Sequence, residues 1–326
     1  MIHNSITHCV GATPLVYLNR LFPQPELSVI AKLEFLNPGG SIKDRPARFI
    51  IESGLRNKTI TSSTHIIEST SGNLGIALAM VARSYGLNLT CVVDPKISPT
   101  NLKILRLMGA NVEMVQTKDD QGGYLKTRIA RVQQLLHHLP NGYWINQYAN
   151  QLNWQAHYYG TGEEIVSDLD APVDCIILAV STTGTLLGIA RRLRKAFPSI
   201  QVIAVDAVGS IIFGQAPGPR DIPGIGSSRV PELLHKDEID DVVFVDDYEA
   251  ALGCRALLAQ EGIFAGGSSG AVIAALNKLA VKFPPFYRVM TVLPDRGERY
   301  LDLVYNDQWL EQVALRHQML NVPLAV

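Results

Sequence analysis

The sequence predicts an α/β protein of two domains, each built on a mostly parallel twisted sheet flanked by helices. Three observations carry the prediction. Short β-branched runs alternate with longer amphipathic segments along most of the chain, and a parallel sheet needs a helical crossover of that kind between successive strands. Loops rich in glycine and hydroxyl side chains stand where runs give way to amphipathic segments, the place where open α/β sheets bind ligands. The 326 residues also exceed the roughly 150 of one typical domain.

Taken in order, the strand-like runs are 29–36, 65–69, 89–94, 111–116, 143–146, 175–180, 201–207, 241–246 and 288–294. Each is short and mostly apolar, as a doubly covered parallel strand requires. Between them, apolar residues recur every three or four positions over 73–85, 100–108, 124–138, 186–197, 248–260 and 269–282, the period of a helix with one buried face. Ser41 and Asp44 have the S-x-x-D spacing of a capping box, which predicts a helix opening near Lys43. Pro46 is tolerated only in a first turn and moves the regular start toward Asp44. The proline- and glycine-rich stretch 214–226 reads either as an irregular active-site segment or as a surface excursion.

The chemistry concentrates in the loops. In Asn37-Pro38-Gly39-Gly40-Ser41-Ile42-Lys43-Asp44-Arg45 a primary amine stands at a helix N-terminus, where partial positive charge disfavours the ammonium and leaves the nitrogen free to react with an aldehyde. An ordinary surface lysine is the plain alternative. In Glu68-Ser69-Thr70-Ser71-Gly72-Asn73-Leu74-Gly75 the turn from strand to helix offers hydroxyls and backbone N–H groups to a carboxylate, and the Asn73 amide can donate to a ring hydroxyl. Ser181-Thr182-Thr183-Gly184-Thr185 repeats the arrangement and suits a phosphate, without the spacing of a nucleotide P-loop. Gly266-Gly267-Ser268-Ser269-Gly270 presents a hydroxyl suited to a pyridine nitrogen. Simple helix capping remains the alternative at each turn.

Composition narrows the partners. A net charge of −1 sets up no general field for nucleic acid or an anionic membrane. Apolar residues at 47% against 18% charged fit a packed soluble protein. Cys9, Cys91, Cys175 and Cys254 form no paired spacing, so no metal site is expected, and reduced thiols in the cytoplasm are. His157 lies among aromatic residues and reads as packing.

As an ordered set these motifs resemble the cysteine synthase and cystathionine β-synthase family of fold-type II pyridoxal phosphate (PLP) enzymes. The resemblance runs from Val10-Gly11-Ala12-Thr13-Pro14-Leu15 to Asp295-Arg296-Gly297-Glu298-Arg299-Tyr300-Leu301. It implies PLP as cofactor, Lys43 as its covalent attachment and proton carrier, and Asn73 at the ring hydroxyl. It further implies Ser181, Thr182, Thr183, Gly184 and Thr185 at the phosphate, Ser268 at the pyridine nitrogen, and Thr70, Ser71, Gly72 and Gln147 at the substrate carboxylate. A homodimer is implied, with a large cofactor domain over 1–40 and 150–326 and a smaller mobile substrate lobe over 41–149. No nucleic acid or membrane partner is expected beside the small amino-acid substrates.

Departures from the family pattern bear on the substrate. Cysteine-forming members commonly have glycines where Ser181 and Thr183 stand, phenylalanine at Tyr148, and an aromatic residue at Arg229. Arg229 reads either as a partner for a phosphate or second-substrate carboxylate or as a surface salt-bridge residue, and Arg128 is a further anion candidate. Together with Tyr143-Trp144-Ile145-Asn146-Gln147-Tyr148-Ala149-Asn150, the pattern is similar to members that join O-phospho-L-serine to L-glutamate, releasing phosphate, for 2,3-diaminopropionate and siderophore biosynthesis. An O-acetylserine or O-phosphoserine sulfhydrylase is the alternative enzyme, and an inactive PLP-retaining scaffold the alternative of another class.

Overall fold

A computed structural model describes residues 2–119 and 122–320, so residues 1, 120, 121 and 321–326 of the expected domain spans lie outside the described residues. The chain opens with β1 (Leu15–Tyr17) and β2 (Leu27–Leu33), then turns into α1 (Asp44–Arg56). Alternation follows: β3 (His65–Ser69), α2 (Asn73–Ser84), β4 (Asn88–Val93), α3 (Pro99–Leu107), β5 (Asn111–Met114), α4 (Leu125–His138) and β6 (Gly142–Trp144). Two short helices, α5 (Gln151–Ala156) and α6 (Glu163–Asp168), precede β7 (Cys175–Ala179), α7 (Gly184–Ala196), β8 (Gln201–Ala207) and β9 (Asp241–Val245). The chain closes with α8 (Asp247–Ala256), α9 (Gly267–Ala280), β10 (Tyr287–Leu293) and α10 (Asp307–Leu320).

The strands form two sheets. The first runs β1-β2-β10-β7-β8-β9 and is parallel except for β1, which lies antiparallel to β2. The second, β5-β4-β3-β6, is parallel throughout. Side chains alternate across each strand, and both faces of the first sheet are covered. Ile177, Ile203 and Val205 pack with Ala250, Ala271, Leu276 and Val313 on one side. Ile176, Leu178, Val202 and Ala204 pack with Leu186, Ile189 and Leu193 on the other. In the second sheet Ile66 and Leu89 meet Ile50, Leu78 and Leu105, while Ile67 and Val92 turn toward Val132.

The predicted elements are found within a few residues, with informative differences. β1 is too short for alternation to reveal it. The helix expected over 248–260 stays α-helical only to Ala256, then widens into a π-turn, Leu257–Glu261, that ends at Gly262 with φ 70°. The capping box at Ser41 does not form. The Asp44 carboxylate turns back to accept the Gly39 N–H at 2.5 Å, and the Ser41 hydroxyl accepts the Lys43 N–H at 3.3 Å instead. Lys43 is the cap residue, immediately before α1, with Pro46 in the first turn as its missing donor requires.

Candidate active site

The topology gathers the loops before any side chain is considered. β2, β10 and β7 are neighbours, so the segments leaving their carboxyl ends emerge side by side. The first carries Lys43, the second Asp295 and the third Ser181. The Lys43 loop is fixed on two sides. Ile42 N–H donates to the Pro294 carbonyl at 2.8 Å, and Ser41 bridges Asp295. On the far side the buried Arg45 guanidinium donates to both Glu34 oxygens at 2.6 Å and to the Glu164 carboxylate at 2.6 and 2.7 Å. Burial alone would raise the Glu164 carboxyl, but Arg45 and Lys32 hold it near 2. Such a clamp would leave an expensive unpaired charge if either partner were removed. Lys43, two residues from it, is half-buried, and burial lowers its amine to about 8 against the opposing field of Asp295.

Asp295 is the functional residue that sequence reasoning left without a role. Its Oδ2 accepts the Asn73 amide at 2.7 Å and the Tyr300 hydroxyl at 2.6 Å, while its buried Oδ1 has no partner. Burial raises its carboxyl. Asn73 therefore gives one of its two N–H groups to Asp295 and accepts from Arg299 through its oxygen, which fixes the amide's orientation at the start of α2 and leaves one N–H to donate. The Asp295 carbonyl accepts the Gly266 N–H at 2.9 Å, and Ala265 bridges Arg296. Buried Ser268 follows two residues later in the first turn of α9.

The loop after β7 has the features of an oxyanion cradle. Thr183 takes the left-handed conformation at φ 63°, and its buried hydroxyl has no hydrogen-bond partner. The Thr182 hydroxyl accepts from Asn153 at 3.2 Å, and Ser181 donates to the Gly226 carbonyl at 3.1 Å. Thr185 pairs with His157 Nε2 at 3.2 Å, and His157 Nδ1 pairs with Thr161 at 3.0 Å. His157 is thus corrected from a packing residue to the fully buried support of the loop. Burial lowers it well below its ordinary value, with Lys43 and Arg45 adding to the effect, so it stands there as neutral imidazole.

In the turn after β3, the Thr70 N–H is already bonded to the Val92 carbonyl at 3.1 Å. That corrects the expectation for this turn at Thr70, whose N–H is not offered to a carboxylate. Gly72, however, caps α2 with open space where a side chain would project. The Ser71 carbonyl accepts from Asn101 at 3.2 Å, and Arg128 reaches across from α4 to donate to the Ser71 hydroxyl at 3.5 Å, braced by Asp94 at 3.4 Å. Glu68 is a second residue missed from sequence. Burial raises it to about 8 although the N–H groups of Asn146, Ser69 and Gln147 favour its charged form, and those bonds seat Gln147 beside β3. Tyr148 lies under the Arg229 guanidinium at 4.7 Å. Arg229 also pairs with Glu232.

The donor set fits an aldehyde phosphate: an amine with a lowered affinity for protons, a neutral hydroxyl at Ser268, and a buried, unpartnered hydroxyl at Thr183. A family model described as pyridoxal-phosphate dependent enzyme matches residues 6–295. The chain belongs to that family. PLP is its cofactor.

Relatives of this PLP enzyme agree with the fold. It is 62% identical over 314 residues to an N-(2-amino-2-carboxyethyl)-L-glutamate synthase of Ralstonia nicotianae, covering 96% of this chain and 93% of that protein. The crystal structure of an O-acetylserine dependent cystathionine beta-synthase from Helicobacter pylori aligns with TM-score 0.86 at 36% identity, covering 93% of this chain and 98% of that one. An O-ureido-L-serine synthase aligns with TM-score 0.87 at 33% identity, covering 95% and 100%. Among the described residues no helix is long and apolar enough to cross a membrane, and no group of three or more His, Cys, Asp or Glu could hold a metal ion.

Proposed function

We propose that this enzyme joins O-phospho-L-serine to L-glutamate, giving N-(2-amino-2-carboxyethyl)-L-glutamate and phosphate, on the route to 2,3-diaminopropionate and siderophores. The bond from the serine β-carbon to the ester oxygen breaks and phosphate leaves with that oxygen. A bond from the β-carbon to the glutamate nitrogen forms as that nitrogen loses a proton, which balances the one taken up by the departing phosphate, and the proton taken from the α-carbon is returned there. PLP, when bound, withdraws electrons from the α-carbon and so makes its proton acidic.

In this reading Lys43 carries the cofactor and moves the α-proton, a task its lowered affinity for protons suits. Ser181, Thr182, Thr183, Gly184 and Thr185 hold the cofactor phosphate, Asn73 the ring hydroxyl and Ser268 the pyridine nitrogen. A neutral serine there keeps the ring a modest electron sink, which suits replacement at the β-carbon. Thr70, Ser71, Gly72 and Gln147 orient the substrate carboxylate. Arg128, Tyr148, Ser181 and Arg229 surround the anionic substituents.

The observation that carries this choice is the contact of Arg128 with Ser71, a cation placed at the donor's binding turn in a chain 62% identical to a synthase of that name. The runner-up remains O-acetylserine or O-phosphoserine sulfhydrylase, favoured by the O-acetylserine dependent structural relative. Separate reactions with sulfide and L-glutamate, followed by mass analysis of the products, decide between them. The glutamate adduct with stoichiometric phosphate is expected, and efficient cysteine formation without that adduct rejects the choice.

The division into a large domain, 1–40 with 150–326, and a smaller mobile lobe, 41–149, belongs to the same proposal. It is supported by the strands, since β3 to β6 all fall within the second span and pair only with one another. A homodimer in the cytoplasm completes the reading, consistent with four free cysteines.

A further inference from the structure

Of the cations placed about the anionic substituents, Arg229 pairs with Glu232 and Arg128 lies at Ser71, and one further arginine, in the loop after β8, is placed for the acceptor's second carboxylate. Arg220 is half-buried. Its Nη2 donates to Ser228 Oγ at 2.8 Å and its Nη1 to the Ile225 carbonyl at 3.4 Å, while its buried Nε has no partner. No carboxylate pairs with it among the described residues. Asp206 and Asp247 act on it only through space. Asp247 accepts the N–H groups of Asp221 and Ile222 at 2.9 and 3.3 Å, and Asp206 accepts the Ala207 N–H at 2.9 Å while its buried Oδ2 makes no hydrogen bond to Arg220 or to any other group. A partly desolvated guanidinium with neutral acceptors alone is short of a charged partner.

Its position points into the site. Gly226 donates its N–H to the Val180 carbonyl at 2.7 Å and accepts the Ser181 hydroxyl at 3.1 Å. A side-chain carbon on Gly226 would lie 2.8 Å from Arg220 Nη1. The absent side chain is what lets the guanidinium lie against the backbone that holds Ser181. The loop is pinned on its outer side by Asp247 and by the Arg316 pair with Asp221, and Ile222 is buried with Ala271 of α9. Asp221 is exposed there, whereas Arg220 is half-buried and near enough to Tyr148 for the two to interact through space. Arg229 is already committed to Glu232 and to the Tyr148 ring.

Resting on the proposed reaction, we infer that Arg220 is the specificity residue for the acceptor, its guanidinium taking the side-chain carboxylate of a dicarboxylic amino acid that enters between this loop and Tyr148. The pairing of a planar fork with a carboxylate selects glutamate over its uncharged amide.

The test uses the PLP-loaded enzyme with O-phospho-L-serine and compares kcat/KM for L-glutamate and L-glutamine in the parent, Arg220→Gln and Arg220→Lys proteins. The glutamate-to-glutamine ratio is expected to fall about tenfold or more in Arg220→Gln, mainly through KM for glutamate, as loss of a charged hydrogen bond implies. Arg220→Lys restores part of that ratio. A loop that is merely disordered lowers both acceptors alike, and that result, or an unchanged ratio, overturns the inference while leaving the reaction intact. If Arg220→Gln loses its cofactor, Arg220→Lys alone decides, a several-fold rise in KM for glutamate without one for glutamine being required. If the parent enzyme forms no glutamate adduct, the proposed reaction itself falls.

Discussion

Lys43 shows how one buried amine ties reactivity to stability. Its value near 8 lies below the ordinary 10.5 because burial penalises the ammonium. Between those limits the unfolded chain binds the proton and the native cofactor-free protein does not, so stability rises with pH across that window. Glu68 has the opposite sign. Burial raises it from 4.5 to about 8, the native state holds the extra proton between those values, and stability falls as pH rises through them. Burial raises Asp44 to about 7 and Asp206 to about 6 with the same sign, so denaturant midpoints of the cofactor-free protein should decline from about pH 5 to about pH 8, and Lys43 opposes the decline only until the buried thiols of Cys91, Cys175 and Cys254, also raised by burial, begin to titrate in the unfolded chain near pH 9. Glu68→Gln makes the decline shallower, and Lys43→Met makes the midpoint above pH 8 fall further than in the parent. Thr183 stores strain of about 1 kcal/mol in its left-handed backbone. Thr183→Gly should raise the midpoint of the cofactor-free protein while weakening retention of PLP in equilibrium dialysis.

How much of the site was legible follows from these residues. Lys43, Asn73, Thr183 and Ser268 stand in local patterns of turn and hydroxyl that a linear reading detects. Asp295 and Glu68 do not, because a lone carboxylate after an apolar run looks like a solvated strand end. Asp295 reaches Asn73, 222 positions earlier in the chain, only across the seam between the two sheets. Arg220 escaped for a related reason, since the loop that carries it reads equally well as a surface excursion.

At the scale of elements, alternation in the sequence exposed the buried strands well because a parallel strand covered on both faces is apolar along its length. It exposed the helices less completely. The stretch from α5 to α6 is interrupted by a π-turn, His157–Gly162, which breaks the 3.6-residue period while placing His157 against Thr185. Close packing between helices was likewise invisible. Gly253 of α8 and Gly270 of α9 face each other so closely that a side-chain carbon on either would strike the backbone of the opposing helix. Gly253→Ala should cost about 1–3 kcal/mol in chemical denaturation. By displacing α9 it should also weaken cofactor binding, although Gly253 lies in no binding loop.

For the whole molecule, the two sheets explain why the site sits where it does. Lys43, Asp295 and Ser181 leave neighbouring strands of the six-stranded sheet, while Thr70 to Asn73 leave β3 of the four-stranded one. The Asn73 to Asp295 bond at 2.7 Å joins the two sides. A smaller lobe that closes on substrate would make and break contacts at that seam. The proposed homodimer should run at about twice the 35.7 kDa chain mass in light scattering, and a monomer at assay concentration would contradict it.

Every role assigned around the cofactor depends on Lys43 holding it. Borohydride reduction of the PLP-loaded protein, digestion and tandem mass spectrometry test it most directly. A phosphopyridoxyl group on Lys43 is expected. The same group on any other lysine, or none on a protein that retains PLP, would contradict it.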